Sequence, residues 1–176
     1  MIMPRGQQLL LPVNPLFIWA SLIAALALNM LQNMALWGRA AWVPDILALV
    51  LVFWSVHQPL RIGVGTAFLL GLAMDVHQGA LLGQHALAYA MLSFLAIGIH
   101  RRLLWFKVLS QTVQMLPLFV AMHVLILAVR LLSGGVFPGW SILLAPLLEA
   151  LLWPAISVLL LLPQRQAPDP DANRPL

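Results

Sequence analysis

PDILALVLVFWSVHQPLRIGVGTAFLLGLAMDVHQGALLGQHALAYAMLSFL, residues 44–95, holds three apolar runs divided by two polar breaks. The first break is His57-Gln58-Pro59. Proline has no N–H to donate and pushes the preceding residue out of the helical region, so the flanking runs form a helical hairpin. The second break is the glycine-rich segment Asp75 to Gly83, where glycine supplies the backbone freedom for a turn. No period-2 alternation runs through any of the three, so they read as helices and not as half-buried strands.

The same pattern extends to both ends of the chain. Six segments approach the roughly 17–25 residues needed to cross a bilayer. They run from about Pro15 to Gln32, Ala41 to Val56, Leu60 to Val76, Leu81 to His100, Ser110 to Leu132 and Ser141 to Leu162. Residues 1–162 are therefore expected to form one all-α transmembrane domain, and 163–176 a disordered cytoplasmic tail rich in proline. Composition agrees: of 176 residues, 62% are hydrophobic and 8% charged, with mean hydropathy +0.98. A soluble domain of this size carries about 25% charge and could not hide so much apolar surface. A soluble enzyme and a disordered chain are excluded. With no cysteine, so are disulfides and thiolate chemistry.

Charge orients the spans. With a cytoplasmic N-terminus, the inner segments hold Arg5, Arg61, Arg101, Arg102, Lys107, Arg165 and Arg174, and the outer loops only Arg39 and Arg130. That bias keeps both termini cytoplasmic and accounts for the net charge of +4 without nucleic acid, for which no basic stripe exists. Trp37, Trp42 and Trp140 fall at expected outer edges and Trp54 and Trp105 at inner ones, while Trp153 is deep enough to pack between helices. Ala25-Leu26-Ala27 fits a signal cleavage site, but cleavage would spoil the charge asymmetry, and a retained first span is expected.

Few residues can carry chemistry. Asp45 follows Pro44 in a helix-start pattern. Asp75 reads either as a hydrated residue at the outer rim or as an anchor for the 75–83 segment through the amides of Gly79 or Gly83. Glu149, nearly central in the sixth span, must be neutral or paired, and His123 lies at similar depth on the fifth. A Glu149–His123 pair suits a clamp between helices better than a proton relay. Gly63, Ala67 and Gly71 form a small-residue ridge for close packing of another helix. Asp75, His77 and His85 match no zinc spacing, and no motif of a hydrolase, nucleotide site or cofactor site occurs. With Asp45 and Asp75 both at the rim, no carboxylate pair is expected at matching depth. No metal or cofactor is expected.

The 44–95 stretch closely resembles the MreD family of bacterial rod shape-determining membrane proteins. The likeness lies in Pro44, the Trp54-to-Pro59 hairpin with Arg61 and Gly63, and the Gly71, Asp75, Gly79, Gly83 run with Ala86. The resemblance implies a non-enzymatic inner-membrane component of the cell-elongation machinery. It also implies MreC, MreB (directly or through MreC), RodZ, RodA and an elongation transpeptidase as partners. The Asp75–Gly83 rim, on the outer side in the topology above, is expected to contact MreC or to shape that contact site. The resemblance further implies a fold similar to the S components of energy-coupling-factor transporters. A substrate-binding S component is accordingly the alternative, and Ala20-x-x-x-Ala24 resembles the motif by which such components dock. One tyrosine and interfacial tryptophans make a poor ligand pocket, which favours the scaffold.

Overall fold

The computed structural model describes residues 14–32 and 41–164. Arg5, Trp37, Arg39, Arg165, Arg174 and the rest of the tail from 165 lie outside the described residues, so their expected placements are not addressed. Among the described residues there are six α-helices and no strand. They are α1 (Pro15–Leu31), α2 (Ile46–His57), α3 (Val64–Gln78), α4 (Gln84–Leu103), α5 (Val108–Leu132) and α6 (Leu144–Leu161). They run alternately up and down the bundle. One end gathers Asp45, the α3–α4 turn and the α5–α6 connection; the other gathers His57 to Gly63 and the α4–α5 turn. Four of the five described cationic residues, Arg61, Arg101, Arg102 and Lys107, belong to the His57 end, and Arg130 belongs to the Asp45 end.

Helix α2 is the centre. Every residue from Leu47 to Val56 is buried, and the helix packs against α1, α4 and α6. This corrects the reading of Trp54 as an interfacial residue. It is fully buried, its indole N–H donates to Ser21 Oγ at 2.8 Å, and Phe17 and Phe53 meet it edge-on. A helix surrounded by other helices has no outer face to offer a belt tryptophan. Trp105 and Trp140 are strongly exposed, and Trp153 is buried with its N–H on Gln111 Oε1 at 3.1 Å.

At 12 residues α2 is about 18 Å long, well short of the roughly 30 Å of a bilayer core. It begins at Ile46 and not near Ala41, because Asp45 caps it: the Asp45 carboxylate accepts the Ala48 N–H at 2.9 Å. Helix α5, and α6 together with its flanking 3-10 turns (Trp140–Gln164), are long and apolar enough to cross a membrane. Pro163 and Gln164, assigned to the tail from sequence, close the second of those turns, and Gln164 Nε2 donates to the Leu160 carbonyl. Large apolar side chains such as Leu16, Ile23, Leu109, Val113, Leu151 and Leu159 face outward from α1, α5 and α6.

The small-residue ridge on α3 faces α4. A Cβ on Gly71 would stand 2.4 Å from Ala86 Cα and 2.6 Å from the Ala86 N and the His85 carbonyl, so only glycine permits this approach. Ala67 is fully buried on the same helix, whereas Gly63 caps the helix start with open space around it.

Candidate functional site

The α3–α4 turn is held by its own backbone. Gly79 ends α3 in the left-handed region (φ 58°), with its N–H on the Val76 carbonyl and the Ala80 N–H on the Asp75 carbonyl, a Schellman arrangement. Gly83 (φ 104°) then opens α4 without a side-chain cap of its own. Asp75 supplies that cap from the preceding helix. Its carboxylate accepts the N–H groups of Gly83 (2.8 Å), His85 (2.8 Å) and Ala86 (3.3 Å), and His85 Nδ1 at 2.8 Å. Asp75 is not a hydrated rim residue: it is 1% exposed, and the amides at the start of α4 replace water. Gly83 donates to it; Gly79 bonds within its own helix end instead.

A second group centres on Asp45, half-buried at the start of α2. Its carboxylate accepts from Asn29 Nδ2 at 3.0 Å, from the Ala48 N–H and from the Tyr89 hydroxyl. Its backbone N–H donates to Glu149 Oε1 at 2.9 Å, tying α6 to the start of α2. His123 Nε2 stands 3.5 Å from the same oxygen. Because His123 Nδ1 donates to the Phe119 carbonyl at 3.0 Å, a neutral ring would turn a lone pair toward Glu149. Glu149 is fully buried and its Oε2 has no hydrogen-bond partner.

The two groups adjoin. His85 and Tyr89 sit one turn apart on α4 with ring centroids 6.1 Å apart, and Asn29 Nδ2 also lies 3.8 Å from Met74 Sδ on α3. Hydrogen bonds join Asp75 to His85 and, separately, Tyr89 to Asp45 to Glu149; the edge-on ring contact of His85 with Tyr89 brings the two groups side by side, with His123 close to Glu149. All three carboxyl groups of the described residues lie in this region: Asp45 caps the start of α2, as its helix-start pattern suggests, and Asp75 and Glu149 are buried. Tyr89 and Asn29 were not singled out from sequence; an asparagine and the lone tyrosine inside apolar spans were the available signal.

A cavity of about 390 Å³ opens over the N-terminus of α2. Asp45, Asn29, His85, His123, Gln84 and Arg130 are among its walls. Its described lining brings polar side chains together but includes no phenylalanine, tryptophan or tyrosine. Chemically the site can hold helices together and offer both donors and acceptors to a guest. Among the described residues no hydrogen bond pairs a nucleophile with a base there.

A family model described as rod shape-determining protein MreD matches residues 12–162, which take in all six helices and every residue of this site. The chain is also 30% identical over 149 residues to the rod shape-determining protein MreD of Haemophilus influenzae, covering 81% of this chain and 89% of that one. The chain belongs to the MreD family. Membership carries a part in rod shape determination. The two long apolar helices are compatible with the membrane location of an MreD-family protein. No solved structure matches the chain.

Proposed function

We propose that this chain is a non-enzymatic, six-span inner-membrane subunit of the bacterial cell-elongation machinery. It maintains rod shape by holding MreC, MreB (directly or through MreC), RodZ, RodA and the elongation transpeptidase. Family membership over 12–162 is the observation that carries the reading. The outward apolar side chains support a bilayer around the bundle, and the cations at the His57 end support cytoplasmic termini. The Asp45 end then faces the periplasm. There Leu81 and Leu82 stand exposed on the braced turn between Gly79 and Gly83, a rigid apolar surface suited to MreC.

The cavity favours one second reading, a substrate-binding S component, in which Ala20 and Ala24, both exposed on α1, would meet the transporter. Purification of the tagged chain in mild detergent at native expression, followed by mass spectrometry, separates the two. MreC, RodA or the transpeptidase in the eluate supports the scaffold. An ATPase with a coupling subunit in their place overturns it.

A further inference from the structure

The cavity above α2 has two electrical ends. At its floor lies the Asp45 carboxylate, with Glu149 directly behind and Asp75 bonded to the neighbouring wall residue His85. Asp75 and Glu149 each face an imidazole, His85 and His123, whereas Asp45 has no ionic partner among the described residues. Among the described residues no cation other than Arg130 touches this region, and Arg130 lies in the exposed last turn of α5, where the same cavity opens. No carboxylate of the described residues lies within ion-pair distance of it.

The free hydrogen-bonding groups follow the same division. His85 Nδ1 is spent on Asp75, so its Nε2 lone pair is available to a donor. Asn29 spends its amide nitrogen on Asp45 and Met74 and keeps its carbonyl oxygen. Arg130 offers a fork of unspent donors shaped for carboxylate or phosphate oxygens. A simple anion would meet the acidic floor, and a simple cation would meet Arg130. A guest carrying both charges satisfies both ends, and about 390 Å³ is room for a small one.

We propose that this cavity binds a small zwitterion, its ammonium group against Asp45, Asn29 and His85 and its phosphate or carboxylate at Arg130. The guest is a soluble molecule or the headgroup of a lipid such as phosphatidylethanolamine; only the second source rests on the membrane reading above. The proposal does not rest on the partner reading, although Gly79, Ala80 and Leu81 belong both to the cavity wall and to the turn proposed above for MreC.

The test uses the full chain in an uncharged maltoside detergent, with O-phosphoethanolamine as probe and ethanolamine and inorganic phosphate as half-probes. Thermal unfolding is followed against concentration, and native mass spectrometry is run after mixing with phosphatidylethanolamine or phosphatidylglycerol. A saturable rise in Tm with O-phosphoethanolamine, absent with either half-probe, identifies a soluble zwitterion. Selective retention of phosphatidylethanolamine over phosphatidylglycerol identifies the headgroup. In either case Arg130→Gln, at an exposed position, should weaken binding at least about tenfold, the loss of one charge-assisted pair, and leave the Tm of the unliganded protein unchanged. Binding of phosphate alone as strongly as the zwitterion, undiminished binding by Arg130→Gln, or binding of neither zwitterion overturns the proposal.

Discussion

Glu149 Oε1 accepts the backbone N–H of Asp45 at 2.9 Å, across 104 positions of sequence, and this one bond closes α6 onto the buried start of α2. The N–H is one of those a helix start leaves unpaired, and the fully buried Glu149 carboxyl pairs it. Glu149→Gln keeps an acceptor oxygen and should unfold within a few degrees of the wild type. Glu149→Leu strands the Asp45 N–H and should cost about 1–3 kcal/mol. Thermal unfolding in detergent compares the two variants directly; equal Tm values for Leu and wild type would remove the clamp.

Asp75 caps α4 from outside that helix. In Asp75→Ala the amides of Gly83, His85 and Ala86 and the His85 ring lose their acceptor together. The expected loss is at least the roughly 1–2 kcal/mol of a single helix cap. Hydrogen exchange should accelerate first at residues 83–87, while the centre of α2 keeps its protection.

Gly71 allows the backbones of α3 and α4 to touch. Gly71→Ala places a methyl 2.4 Å from Ala86 Cα, where only backbone movement relieves the clash, and should lower the folded yield sharply. Gly65→Ala, on the same helix with open space around it, should be neutral or stabilising by up to about 1 kcal/mol. Detergent-extracted yield and Tm of the two variants measure the difference.

The chain has no cysteine, so single cysteines report topology cleanly. Leu82→Cys at the Asp45 end and Leu60→Cys at the His57 end both lie at exposed positions. In intact spheroplasts a membrane-impermeant maleimide should label Leu82→Cys alone, and Leu60→Cys only after permeabilisation. The opposite pattern would invert the orientation.

Helix positions were largely legible because hydropathy and proline breaks are local properties. Their arrangement was not. An apolar helix in the middle of a bundle and one facing lipid have the same composition, so α2 gave no sign that Trp54 is enclosed. The individual members of the polar chain stood out, since ionisable residues in apolar runs are rare. Their convergence did not, because it depends on contacts between distant segments, such as the bond of Asp45 to Glu149. Tyr89 went unnoticed as a partner for the same reason: its contact to Asp45 spans two helices that are not consecutive in sequence. Gly71 was readable as part of a close-packing ridge; that Ala86 is what it meets required the fold.

The surface between Gly79 and Gly83 is where partner contact can be separated from folding. Leu82 is 68% exposed, so Leu82→Glu should leave the bundle intact and its Tm unchanged. The decisive measurement is rescue of cell shape in a rod-shaped bacterium depleted of its own MreD-family protein, at matched expression. The wild-type chain should restore rods and bring MreC through purification, while Leu82→Glu should leave round cells and lose MreC. Full rods with MreC retained by Leu82→Glu would contradict the assignment of this rim as the partner-binding surface.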